Sequence, residues 1–124
     1  AGETDRLLFS THEVGGLRVL TSSVADADAN RLRQMGDILR DKASNIVAVL
    51  ATVNGEKITF LAVCGKEAVA KGIKAGEIVK AVSAIAGGSG GGKPDSAMGG
   101  GKDLLMLDNA LATVDNLVAE KLGV

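Results

Sequence analysis

The chain has 124 residues, 46% apolar and 23% charged, with a net charge of −1. That length makes one domain able to bury a core without disulfide or metal, and a near-neutral total gives no bulk attraction to nucleic acid or an anionic membrane. Two Phe, no Tyr, no Trp, one Cys and one His exclude stacked-aromatic sites, a disulfide framework, multi-Cys zinc and His-pair metal sites.

Residues 1–16 read as a lead-in, with Leu7, Leu8 and Phe9 supplying one or two packing residues before Gly15-Gly16. Leu17 to Val24 (LRVLTSSV) follows that break and is rich in β-branched residues, which predicts a strand. Asp28 is placed to cap a helix over 29–42, whose apolar residues Leu32, Met35, Ile38 and Leu39 share one face. Asn45 to Val53 (NIVAVLATV) is nearly all apolar, the pattern of a strand covered on both faces. Asn54-Gly55 signals a hairpin into the strand Lys57 to Cys64. Residues 65–86 have helical spacing, with a bend expected between Gly72 and Gly76 because glycine weakens a helix interior. Asp103 is the expected cap of a last helix over 104–122, which Gly123 ends.

The fold class is therefore α/β, mixed α+β. The expected core is a small three- to four-stranded mixed sheet, with a βαβ crossover and an Asn-Gly hairpin, packed with three to four helices. No apolar run approaches the roughly 18–20 residues that span a bilayer, residues 1–6 carry no signal-peptide pattern, and a single Cys suits a reduced compartment. The expectation is a cytoplasmic protein with no membrane partner. The chain starts without Met and reads as a piece of a longer one.

Between the last two helices lies GGSGGGKPDSAMGGGK, residues 87–102, in which eight of the fifteen residues from 87 to 101 are Gly. Bare glycine backbone can turn successive N–H groups toward an anion. Lys93 and Lys102 flank the segment and could each meet a phosphate. The final helix is expected to present its positive N-terminal end to it. A mobile connector is the ordinary alternative, against which stands the stiff Lys93-Pro94-Asp95 between two glycine triplets. Neither a Walker loop nor a strand-borne GxGxxG is present. Lys66 to Lys102 is locally +3 and Asp103 to Val124 locally −3, so the basic stretch coincides with the glycines.

Residues 87–103, GGSGGGKPDSAMGGGKD, resemble the signature of the alanyl-tRNA synthetase C-terminal domain: a glycine run, a basic residue, Pro-Asp, small residues, then Gly-Gly. Supporting matches run in order through 16–20 (GLRVL), 32–37 (LRQMGD), 47–51 (VAVLA) and 71–80 (KGIKAGEIVK), so the resemblance covers about residues 15 to 122. It implies a DHH-associated fold on residues 17–124, with no active site of its own. It also implies contact with the elbow of tRNA-Ala, and service to aminoacylation and editing sites in other domains of the same synthetase. ATP, magnesium and the editing zinc would belong to those domains, with no cofactor in this one. A homodimer is implied only for some members.

The implied RNA-binding residues are Gly90, Gly91, Gly92, Lys93, Asp95, Gly99 and Gly100, which match the motif, with Lys102, Lys71 and Lys74 added from charge and position. The same fold is similar to the DHH-associated domain of DHH-family phosphoesterases. There a His follows the glycine run; here Lys93-Pro94 stands in that place, which disfavours phosphate-ester hydrolysis. A dimerisation module is the third reading.

Other chemistry-bearing residues read more simply. His12 reads as a surface residue, Cys64 as a small buried hydrophobe, and Asp26 and Asp28 as cap and first-turn charges rather than metal ligands. Arg31, Arg33 and Arg40 read as a solvated helix face. For Asp95 a turn residue bonding its own backbone is the competing assignment. Met98 and Met106 read as packing residues.

Overall fold

The computed structural model describes residues 2–124. A short helix α1 (Glu3–Leu8) and strand β1 (His12–Val14) precede β2 (Leu17–Ser23), α2 (Ala29–Lys42), β3 (Ile46–Asn54) and β4 (Lys57–Cys64). There follow α3 (Lys66–Ala70), α4 (Ala75–Ile85), β5 (Ser89–Gly92), β6 (Ser96–Gly101), a 3₁₀ turn (Leu104–Met106), α5 (Leu107–Ala112) and α6 (Val114–Leu122). The strands form one six-stranded mixed sheet in the order β1-β2-β3-β4-β6-β5.

The expected crossover is present: β2 and β3 are parallel, joined through α2, and β4 returns antiparallel to β3. Asn54 pairs with Lys57, so Gly55 and Glu56 form the turn, Gly55 with φ 62°, while the Asn54 amide donates to the Ala27 carbonyl. Every residue of β3 from Ile46 to Thr52 is buried, as a strand covered on both faces requires. Val47, Val49, Ala51, Phe60 and Ala62 face α4, α5 and α6. Ile46, Ala48, Leu50, Leu61 and Val63 face α2. At about 1.5–3 kcal/mol per fully buried large apolar side chain, Leu32, Met35 and Leu39 hold α2, a helix whose fourteen residues would be marginal alone.

Several expectations need correction. The sheet has six strands, because segments read as lead-in and as loop both pair with it. The lead-in folds into α1 and β1, with Leu7 and Leu8 packed against the α2 side while Phe9 stays exposed. On α2 the buried face runs through Leu32, Met35, Gly36 and Leu39; Ile38 is exposed, because Gly36 lets the helix sit directly on Leu61 and Val63. The last helix is a 3₁₀ turn and two α segments. Asp103 makes no side-chain cap bond there, while its N–H and that of Lys102 both donate to the Ala86 carbonyl. Asp28, by contrast, caps α2 by accepting from the Arg31 N–H at 2.8 Å. The bend between Gly72 and Gly76 is present, separating α3 from α4.

Candidate nucleic-acid interface

The glycine-rich segment is neither a loop nor a connector. It is the β5–β6 hairpin: β6 pairs antiparallel with β4 from Ile58↔Gly101 to Val63↔Ser96, and β5 pairs with β6 and forms the outer edge of the sheet. The β6 N–H groups are therefore spent on ladders rather than turned to a ligand, because sheet pairing satisfies backbone donors more completely than a solvated nest. The glycines have a packing cause. A Cβ on Gly99 would overlap the Ser83 hydroxyl of α4, and one on Gly76 would lie 2.7 Å from the Gly92 carbonyl oxygen. Glycine on both partners lets α4 rest on bare backbone. Gly91 differs, since a Cβ there would meet nothing within 4 Å.

The predicted residues divide. Gly90 faces α4, and Gly99 and Gly100 lie inside the sheet between β4 and β5. Gly91, Gly92 and Lys93 are exposed at the outer edge and tip. Lys102 sits at the other end of β6 beside Gly87. Six strand residues at about 3.4 Å each put it roughly 20 Å from the tip, so Lys93 and Lys102 serve different places. Lys74 does approach the tip, because the next N–H, that of Ala75, donates to the Pro94 carbonyl at 2.8 Å. Lys71 does not; its ammonium lies near Gly16, on the β1–β2 turn.

Asp95 is held by other groups. Its carboxylate pairs with Arg40 of α2 at 2.9 Å and its carbonyl accepts from the Cys64 N–H at 3.0 Å. The carboxylate thus bonds Arg40 rather than its own backbone, while staying half exposed. On α2, Arg31 and Arg33 are exposed as expected, Arg31 pairing with Glu3 and Arg33 donating to the Met98 sulfur at 3.1 Å; the solvated reading needs correction only for Arg40, which is partly buried and reaches the hairpin tip.

Near the tip, Lys74, Lys80, Gly91, Gly92 and Pro94 line a shallow groove of about 240 Å³ between α4 and β5. Lys80 lines this groove and was not among the residues expected from the sequence. The helical spacing 74, 77, 80 was visible, but not which face met the hairpin. Among the described residues Lys74, Lys80 and Lys93 have no carboxylate within 4.0 Å, whereas Glu77 of the same groove faces Lys121 at 3.4 Å.

The nucleophile and base candidates lie apart from this region or are muted. Cys64 is buried, and burial together with the nearby Asp95 charge pushes its thiol up to about 12, leaving it protonated. His12 Nε2 lies 2.7 Å from Asp115 on the β1 side of the sheet. Asp28 is occupied as a cap, and Asp26 takes a left-handed turn conformation, φ 54°. Met98 packs against the α2-side core as expected. Met106 is half-buried with its sulfur facing the Asn109 amide. Among the described residues no helix is long and apolar enough to cross a membrane.

Known proteins match this architecture. The family model described as the DHHA1 domain matches residues 16–120. An alanine–tRNA ligase of Dehalococcoides mccartyi is 44% identical over 117 residues, 94% of this chain and 13% of the relative. One from Roseiflexus sp. is 46% identical over 118 residues, 95% of this chain and again 13% of the relative. The chain thus spans about an eighth of the length of these curated relatives. The crystal structure of the C-Ala domain from Aquifex aeolicus alanyl-tRNA synthetase superposes with a TM-score of 0.81 at 27% sequence identity, covering 88% of this chain and 97% of that one. The family resemblance carried by residues 87–103 is borne out over nearly the whole chain.

Proposed function

The chain belongs to the DHHA1 domain family, and from that premise we propose that it is the C-terminal domain of an alanine–tRNA ligase and docks folded tRNA without catalysing a reaction itself. One observation supports docking most directly. The hairpin tip offers bare glycine backbone at Gly91 and Gly92 beside the ammonium groups of Lys74 and Lys93, which among the described residues have no carboxylate within 4.0 Å.

RNA elbows are met by shape and by phosphate and 2′-hydroxyl contacts. A flat, side-chain-poor strand edge admits a ribose–phosphate backbone closely, and Lys74 and Lys93 supply the charge. The domain lacks Tyr and Trp and buries Phe60, and no aromatic ring lines the groove at the hairpin tip, so this reading rests on backbone contacts rather than base stacking. With so few phosphate contacts, the isolated domain binds weakly and salt-sensitively. Tethering it to domains that already hold tRNA-Ala raises its effective concentration, so a modest surface suffices to present one tRNA to distant charging and editing sites. ATP, magnesium and zinc would serve those sites, and a cytoplasmic location goes with the assignment.

The test is binding of folded tRNA-Ala to this domain across a salt series, for wild type and Lys93→Ala. Binding that fades with salt and weakens in the variant supports RNA docking at the tip. No binding at low salt, together with RNA-independent self-association in sedimentation, would replace it with a protein-interaction role, the homodimer included.

A further inference from the structure

Two lysines separated by nineteen positions, Lys74 and Lys93, are brought to one place by backbone contacts. The Ala75 N–H donates to the Pro94 carbonyl at 2.8 Å, and Gly76 rests against the Gly92 carbonyl with no side chain between. Lys80, two helical turns along α4, lines the same groove. Lys74 and Lys80 line the groove with one carboxylate, Glu77, which lies 3.4 Å from Lys121, and Lys93 stands at the groove's end; three lysines against one carboxylate leave the region net positive by two in a chain whose total is −1. Its floor is the outer strand of the sheet, whose far side pairs with nothing in the described chain. Open N–H groups on that side add neutral donors to the ammonium groups.

We propose that the α4–β5 groove is the phosphate-binding track of the domain. It takes the phosphodiester backbone of a folded RNA along the outer strand edge, with Lys74 and Lys80 on one bank and Lys93 at the end. This rests on the RNA-docking reading above and adds to it. The contact is to backbone phosphates rather than bases. It lies on the edge and the α4 side rather than the α2 side of the hairpin. It includes Lys80, which lies outside the glycine motif, and it excludes Lys71 and Lys102. Charge complementarity selects a polyanion: an acidic peptide would meet the same lysines but would leave the bare edge without the closely spaced anions a phosphate chain supplies.

The test compares Lys74→Ala/Lys80→Ala with Lys71→Ala/Lys102→Ala, which removes the same charge elsewhere. Both are measured for binding to folded tRNA-Ala between 50 and 200 mM salt, with circular dichroism and melting as fold controls. The groove variant is expected to lose about tenfold in affinity at the lowest salt, and its slope of log affinity against log salt is expected to shrink by roughly 1.5–2. The control is expected to bind as wild type. Because Lys74 begins α4, Lys80→Glu alone is a second variant whose position is fully helical and exposed; it is expected to weaken binding at least as much as Lys80→Ala. Equal loss in both double variants, or loss in neither, overturns the groove while leaving RNA docking standing. Absence of wild-type binding at low salt overturns both.

Discussion

The Arg40 guanidinium on α2 lies 2.9 Å from the Asp95 carboxylate at the hairpin tip, and 2.6 Å from Asp37 on its own helix. One cation thus ties the α2 layer to the turn that carries Lys93. The same turn is held by backbone bonds from the Lys93 N–H to the Ser96 carbonyl, the Cys64 N–H to the Asp95 carbonyl and the Ala75 N–H to the Pro94 carbonyl.

Removing either partner should loosen that turn without unfolding the domain. Asp95 is half exposed, so the Arg40–Asp95 coupling in a double-mutant cycle is expected at about 0.5–1 kcal/mol. Hydrogen exchange of the Lys93 amide, which donates to the Ser96 carbonyl, should speed up in Asp95→Ala while the β3 amides stay protected. Zero coupling with unchanged exchange would show that the backbone bonds at Lys93, Pro94 and Asp95 order the tip without Arg40.

The glycines of the hairpin should respond unequally to alanine. Gly99→Ala drives a methyl into the buried Ser83 hydroxyl and should cost about 1–3 kcal/mol. Ser83→Ala removes the obstructing oxygen, which has no hydrogen-bond partner among the described residues, and should recover part of that loss. Gly91→Ala adds a methyl in open space and should change stability by less than about 0.5 kcal/mol. Chemical denaturation of the four proteins measures all three expectations, and an equal cost at 91 and 99 would contradict the packing explanation.

Cys64 should be inert while the domain is folded. Its thiol is raised from an ordinary value of 9.0 to about 12 by burial and by Asp95, so alkylation at pH 8 should proceed only through unfolding. The sign of the linkage follows: above about pH 9 the unfolded chain releases this proton and the folded chain keeps it. The unfolded chain is thereby favoured and stability falls as pH rises toward 12. Cys64→Ala should flatten that alkaline decline, and a decline of equal slope in the variant would assign it to other groups.

Asp28 offers a cleaner test of local structure. Its carboxylate accepts the Arg31 N–H at 2.8 Å and remains exposed. Asp28→Ala should cost about 1 kcal/mol in thermal or urea unfolding and Asp28→Asn much less, because the cap needs an oxygen acceptor rather than a charge.

The parts of this protein legible in its sequence are those whose cause lies within a few residues. The Asp28 cap, the three-and-four spacing of Leu32, Met35 and Leu39, the run from Ile46 to Thr52 and the turn at Gly55 each state their own structure, since helix and strand periodicities act over one or two turns. The motif at 87–103 carried the family for the same reason. The tertiary structure decided the rest. Glycine lowers the strand signal of Ser89–Gly92 and Ser96–Gly101, and only the presence of β4 on one side and α4 above turns that bare backbone from a liability into a fit. Arg40 meets Asp95 fifty-five residues away, and Lys80 joins Lys74 and Lys93 only because Gly76 and Gly92 touch. Sequence spacing reports which residues share a face of one element. Which faces meet is set by how those elements bury their apolar surfaces against one another, and the groove exists only once they have.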